Sequence, residues 1–188
     1  GYAIIGYTES FGAIEYDFLL VKTDGLGYIE WNKTYGGADL DFGLSIVATS
    51  DGGYAIAGST NSFGAGNSDF WLIKTDGTGN VEWNQTYGGA NYDSANALIA
   101  TSDGGYAIAG STQTIAGGTD FWLVKTDAFG NMEWNQTYGT EDPDSALSLV
   151  ETSDGGYAIV GDKKIIPEGV DPRTVKTDCW LVKTDGYG

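Results

Sequence analysis

Histidine is absent from the 188 residues, cysteine and methionine occur once each, and proline three times. Without imidazole the chain lacks the commonest metal ligand and the usual general base of Ser and Cys triads. One thiol, Cys179, makes neither a disulfide within the chain nor a thiolate zinc site. Basic side chains are scarce too: 9 Lys and Arg stand against 26 Asp and Glu, a net charge of −17 with a pI near 4.1. Such a charge repels nucleic acid and anionic membrane surfaces, so neither is an expected partner. No apolar run approaches the roughly 18 residues of a spanning segment, and membrane insertion is not expected here. Nor is there a basic stretch followed by an apolar one, as in a secretory leader. The first residue is Gly1 and the last six, Lys183–Gly188, stop inside a repeated phrase, so the chain reads as a piece of something longer.

What is abundant is glycine, at 30 residues, and aromatics, at 6 Trp, 12 Tyr and 7 Phe. Aromatics at this density argue against disorder, and the length suffices for a core that buries about two-thirds of the chain's surface. Self-similarity organises everything else. Gly-Gly-Tyr-Ala-Ile-Ala-Gly stands at 52–58 and 104–110, with Val replacing the last Ala at 155–161, and the chain opens on Gly1-Tyr-Ala-Ile-Ile-Gly6. The tyrosines Tyr2, Tyr54, Tyr106 and Tyr157 are spaced by 52, 52 and 51 residues. Trp31, Trp83 and Trp134 keep the same step, each followed by Asn-x-Thr-Tyr-Gly. Asp-x-x-Leu-[Val/Ile]-Lys-Thr-Asp begins at Asp17, Asp69, Asp120 and Asp178.

Each unit holds four segments of strand character separated by turn residues, such as 43–49, 54–59, 69–75 and 81–87, and none with helical periodicity. Glycine in the Ser-Asp-Gly-Gly and Asp-Gly-Thr-Gly-Asn turns supplies the positive φ of tight hairpins. Phe70, Trp71, Leu72 and Ile73 are apolar in succession, so both faces of that strand must be covered. Four-stranded antiparallel units of this length, stacked face to face, predict an all-β chain of β-propeller blades. The blades fall at about 1–37, 38–89, 90–140 and 141–188, with fourteen strands ordered 2-3-4, then two full sets, then 1-2-3. About 3.5 blades leave a ring incomplete, to be closed by further blades or by copies of the chain in a homo-oligomer.

The phrase Asp-Gly-Gly-Tyr-Ala-Ile-Ala-Gly-Ser-Thr, then Asp-Phe-Trp-Leu-[Ile/Val]-Lys-Thr-Asp, then Gly-Asn-x-Glu-Trp-Asn resembles the repeats of large secreted or surface-anchored propeller proteins of archaea and bacteria. Its strand order is also similar to the kelch blade. The Asp-x-x-Gly-Asn-x-x-Trp portion resembles quinone-dehydrogenase propeller repeats. The turn Thr49-x-Asp51-x-Gly53, with copies at 101–105 and 152–156, resembles the Asp-box of sialidase-like propellers, where the box is structural. The resemblance implies a blade architecture and an extracellular or cell-surface location, and leaves the activity open, since propellers host unrelated functions.

Candidate sites lie where the repeat breaks or where acids recur. Lys163–Thr177 is longer than its counterparts and carries Lys163, Lys164, Arg173 and Lys176, four of the nine basic residues, so it is a candidate ligand-binding loop. Its plain alternative is a neutral insertion. Between successive units Asp39 and Asp41, Asn91 and Asp93, and Asp142 and Asp144 stand at i and i+2, a weak Ca²⁺ candidate whose alternative is turn capping. The sequons at Asn32, Asn84 and Asn135 are candidate glycosylation sites, or one ancestral Asn-x-Thr copied with its blade. The Asp opening each third strand reads as a hydrogen-bonding anchor, and Cys179, at the position of Phe18, Phe70 and Phe121, as an inert buried thiol. No catalytic residue is expected and no cofactor beyond Ca²⁺, because nearly every acid has repeat-related copies whereas a glycosidase needs two unlike carboxylates. The expected function is a non-catalytic module binding protein or glycan, or serving structurally. The alternative is a fragment of a propeller enzyme of glycosidase, lyase or quinone-dependent dehydrogenase type.

Overall fold

The computed structural model describes residues 1–113, 118–140, 142–166 and 175–188, and among these every regular element is a β-strand. The fourteen strands are β1 Tyr2–Thr8, β2 Asp17–Thr23, β3 Ile29–Tyr35, β4 Asp41–Ala48, β5 Tyr54–Thr60, β6 Asp69–Thr75, β7 Val81–Tyr87, β8 Asp93–Ala100, β9 Tyr106–Gln113, β10 Thr119–Thr126, β11 Met132–Tyr138, β12 Asp144–Glu151, β13 Tyr157–Ile165 and β14 Lys176–Lys183. They form four antiparallel meanders in chain order: β1-β2-β3, β4-β5-β6-β7, β8-β9-β10-β11 and β12-β13-β14. The all-β reading, the strand count and the 2-3-4 / 1-2-3 truncation at the two ends agree with the sequence.

Local chemistry sets each hairpin. In the first turn of the second sheet Gly52 sits at φ 87°, Asp51 Oδ1 accepts the Gly53 amide at 3.0 Å, and Thr49 Oγ1 donates to the same oxygen. Asp76 Oδ1 accepts the Thr78 and Asn80 amides at 2.8 and 2.9 Å, so this calcium-like stretch spends its carboxylate on its own turn.

The sheets stack through three apolar clusters, one per junction. Phe18, Leu20 and Tyr35 meet Tyr54, Ile56, Trp71 and Ile73. Phe70, Leu72 and Tyr87 meet Ala95, Leu98, Tyr106, Ile108 and Trp122. Phe121 and Leu123 meet Ala146, Leu149, Tyr157 and Ile159. Strand alternation makes this possible, because Phe70 and Leu72 face the following sheet while Trp71 and Ile73 face the preceding one. Ring pairs repeat accordingly: Phe18–Trp71, Phe70–Trp122 and Phe121–Trp180 lie 5.0, 4.6 and 4.9 Å apart between centroids. The first strands β4, β8 and β12 lie against one another, whereas β3, β7 and β11 pack chiefly within their own sheets. The sheets therefore converge at the first strand and splay at the fourth, as blades do, without closing a ring.

Two features depart from expectation. The first strands begin at Asp41, Asp93 and Asp144, and each carries a bulge, at Leu44, Asn96 and Leu147, where one residue is skipped in pairing. Across these bulges the Leu98 amide donates to Ser45 Oγ and Asn96 Nδ2 to the Ala146 carbonyl, at 3.1 and 2.8 Å. Cys179 is exposed rather than buried, because no sheet covers the face on which its Phe counterparts are sealed.

Candidate functional site

On the rim of the tight hairpins a lysine ties two strands to the turn joining a third and fourth. Lys74 Nζ lies 2.7 Å from both Asp51 and Glu82 and donates to the Thr75 carbonyl at 3.0 Å. Lys125 repeats this with Asp103 and Glu133, each at 2.8 Å. Burial pulls the Lys74 and Lys125 ammonium groups down, but the paired carboxylates more than offset it and hold both above the usual lysine range. The ammonium of Lys74 holds Asp51 well below the usual carboxylate range. Asp103, opposed by its own burial, is still brought down to about 2 by Lys125. Among the described residues Lys22 keeps only Glu30 as an ion-pair partner, and Lys183 only Asp154, because the strand or turn that would bring the other acid is missing from their sheets. These charges brace the blades, and a lysine held protonated in this way is no nucleophile.

The opposite rim carries the recurring acids. Asp41, Asp93 and Asp144 are buried, and their Oδ2 atoms accept the Gly37, Gly89 and Thr140 amides at 2.9, 2.9 and 3.1 Å. Turn capping is therefore one of their roles. Asp39 stays exposed, the Asn91 side-chain amide reaches the Gln113 carbonyl at 3.4 Å, and Asp142 accepts the Ile166 amide at 3.1 Å. Each inner acid instead meets an acid from the preceding sheet: Asp17 with Asp41, Asp69 with Asp93, Asp120 with Asp144. Burial raises the Asp17, Asp69 and Asp120 carboxyls above the usual range, and the neighbouring aspartate adds to it. A glycine separates the members: a β-carbon on Gly88 would stand 1.7 Å from Asp69 Oδ1 and 2.7 Å from Asp93 Oδ2, and Gly36 is wedged likewise between Asp17 and Asp41. The sequence signal for this pairing is a constant separation of 24 residues from the third-strand Asp to the next first-strand Asp. Among the described residues no three His, Cys, Asp or Glu side chains form a metal cluster.

The basic loop is partly strand. β13 runs to Ile165 and β14 starts at Lys176, pairing Lys163 with Asp178, Lys164 with Thr177 and Ile165 with Lys176. Lys163 and Lys176 thus share one face of the hairpin while Lys164 points from the other. Lys163 Nζ sits 5.1 Å from the centre of the Trp180 ring, a cation–π contact. Arg173 lies outside the described residues. The sequon residues Asn32, Asn84 and Asn135 are exposed on the outermost strands. The Trp71 and Trp122 indoles donate to Asn84 Oδ1 and Asn135 Oδ1 at 3.1 and 3.0 Å, a structural use for the asparagine that the sequence does not reveal. Asn32 makes no such bond, because Leu19 stands where those tryptophans do.

The two outer faces of the stack lack a covering sheet among the described residues. Tyr2 and Ile4 are 61% and 55% exposed, whereas Tyr54 and Ile56 in the next repeat are 9% and 0% exposed. At the other end Leu181 is 66% exposed against 0% for Leu72. One face displays the residues that receive a preceding sheet, and the other those that enter a following one.

No family model matches the chain. It is 28% identical over 176 residues, 80% of its own length, to the regulatory protein FlaEY of Caulobacter vibrioides. The chain spans 18% of the length of that relative.

Proposed function

We propose that the chain is a non-catalytic β-propeller module of an extracellular or cell-surface protein, akin to the propeller repeats its motifs resemble. It acts by contact with a protein or glycan partner, and further blades of its own kind complete its ring. One contrast carries this reading: the buried lysines Lys74 and Lys125 are consumed in repeat-copied braces, while apolar residues stand bare on the two outer faces. Catalysis needs a singular constellation, and copied braces supply none. Bare faces that are the two halves of an interface already built three times inside the chain call for the same partner, a second copy meeting head to tail. Similarity to a regulatory protein of which the chain matches 18% supports a module working within a longer protein.

Light scattering over a concentration series tests the contact. The expected result is a closed pair heavier than the 19.8 kDa chain, reverting to monomer in Leu181→Lys and Ile4→Lys. A monomer throughout removes self-completion from the reading. Glycan-array binding by the parent and by a variant lacking 163–177 then assigns the partner site, since unchanged binding after the deletion excludes that hairpin.

A further inference from the structure

Each of the three aspartate pairs at the blade junctions keeps at least one oxygen unserved, although others are hydrogen-bonded: Asp41 accepts from the Thr60 and Ser62 hydroxyls, Asp69 Oδ2 from the Ala65 and Gly66 amides, and Asp144 Oδ2 from the Thr140 amide. Asp17 and Asp69 are 8% and 1% exposed, and Asp41, Asp93 and Asp144 are 0%, 3% and 1% exposed. Asp17 Oδ1, Asp69 Oδ1, Asp120 Oδ1 and Asp144 Oδ1 are buried with no hydrogen-bond partner. Among the described residues, none of the six carboxylates is in a salt bridge; the lysines nearest in sequence, such as Lys22, Lys74 and Lys125, are held on the opposite rim. An orphaned buried carboxylate oxygen is costly, and two facing carboxylates are costlier still.

Two remedies exist, a shared proton or a cation. Were a proton enough, asparagine in either position would give the same hydrogen bond at the same volume and remove the charge. Asparagine is accepted two residues away, where Asp39 and Asp142 alternate with Asn91, yet all six paired positions hold Asp. The glycine between them matters in the same way. Any side chain on Gly36, Gly88 or Gly139 would fill the space in which Asp17 Oδ1, Asp69 Oδ1 or Asp120 Oδ1 now lies, since its β-carbon would stand 2.0, 1.7 and 1.9 Å from those oxygens.

We propose that each junction holds a hard divalent cation, Ca²⁺ in first place, between the third-strand aspartate of one blade and the first-strand aspartate of the next: Asp17 with Asp41, Asp69 with Asp93, Asp120 with Asp144. Carboxylate oxygens are the preferred ligands of such an ion, and water and backbone carbonyls complete its shell. The ion stitches successive sheets at the rim opposite the lysine braces. This set keeps the inner acids of the i, i+2 pairs read from the sequence and replaces Asp39, Asn91 and Asp142 by acids 24 residues upstream of those inner acids.

The test uses the whole chain, stripped with a chelator and dialysed against about 1 mM Ca²⁺, within the affinity range of extracellular modules. Salt at ~0.15 M screens loose binding to the acidic surface, and Mg²⁺ is run in parallel. Metal content by mass spectrometry is expected to be three ions per chain with Ca²⁺, with the melting temperature raised by several degrees over the chelated state. Asp69→Asn is expected to bind two ions, and in chelator to melt no lower than the parent, since a desolvated charge is gone. Asp17→Asn, in the less packed first sheet, gives the same count should Asp69→Asn fail to fold. Less than one ion per chain with either metal overturns the proposal, as does a count that neither variant lowers. Proton uptake by the pairs near neutral pH in the presence of Ca²⁺ also overturns it and assigns the shared proton instead.

Discussion

The two complete sheets and the two end sheets are built from the same phrases and end in different states. β5 and β6 are buried along their whole length, whereas β1 and β14 hold only half-buried and exposed residues. Leu72 and Leu181 hold one repeat position and differ only in their neighbour; Phe70 and Cys179 hold another, where the residue changes as well. Burial in this molecule is therefore a property of the junction and not of the sheet. Stability is expected to behave as a sum over junctions, as in other repeat arrays.

The sharpest way to break that comparison is to cut the same position in both places. Phe70→Ala is expected to cost about 3–5 kcal/mol, because the ring is sealed against Trp122. Cys179→Ala, at the equivalent exposed position, is expected to stay within about 0.5 kcal/mol. Denaturant midpoints of the two variants check this, and equal losses would contradict it. A smaller contrast sits at the acid rim. Gly88→Ala drives a methyl into Asp69 and is expected to cost about 1–3 kcal/mol. Gly89→Ala meets nothing within 4 Å and is expected to be near neutral in the same assay. Next in size are the braces. Lys125→Met is expected to cost about 1–2 kcal/mol, since it strands two carboxylates and a carbonyl. Lys22→Met, with one acid partner at a bare face, is expected to change the melting temperature less.

The smallest effect is in pH, measured in chelator. Asp17, Asp69 and Asp120 have folded pKa values raised above 3.8, so their ionisation costs stability at neutral pH and protonation restores it. Asp103 is lowered from 3.8 to about 2, so its contribution is present above 3.8 and is lost as pH falls through about 2. The melting temperature is therefore expected to rise as pH drops from neutral toward the carboxylate range, then to fall below it. Asp17→Asn is expected to flatten the rise and leave the fall, and an unchanged rise in that variant would contradict the assignment.

The fold is legible in the sequence because a 52-residue step, turn glycines and alternating apolar residues each act within one sheet. What escapes belongs to relations between sheets. The bulges at Leu44, Asn96 and Leu147 arise where first strands crowd together, and no local propensity marks them. The exposure of Cys179 follows from a missing neighbour, which periodicity does not encode. Of the candidate sites, the inner acids Asp41, Asp93 and Asp144 stand out in the sequence, but spacing alone pairs them with residues two positions away. The connecting turn leaves Asp39 exposed and Asn91 and Asp142 half-buried on other partners, whereas the preceding sheet brings Asp17, Asp69 and Asp120 beside the inner acids. The basic hairpin is legible in its place and not in its geometry, since pairing continues to Ile165 and Lys176 and divides the lysines between two faces.

Amide hydrogen exchange on the monomer, at dilution below any self-association, tests most directly whether junctions govern stability. Slowest exchange is expected in β6 and β10, which are covered on both faces, and fast exchange in β1 and β14, each bare on one face and unpaired along one edge among the described residues. Protection in β1 and β14 equal to that in β6 and β10 would contradict it.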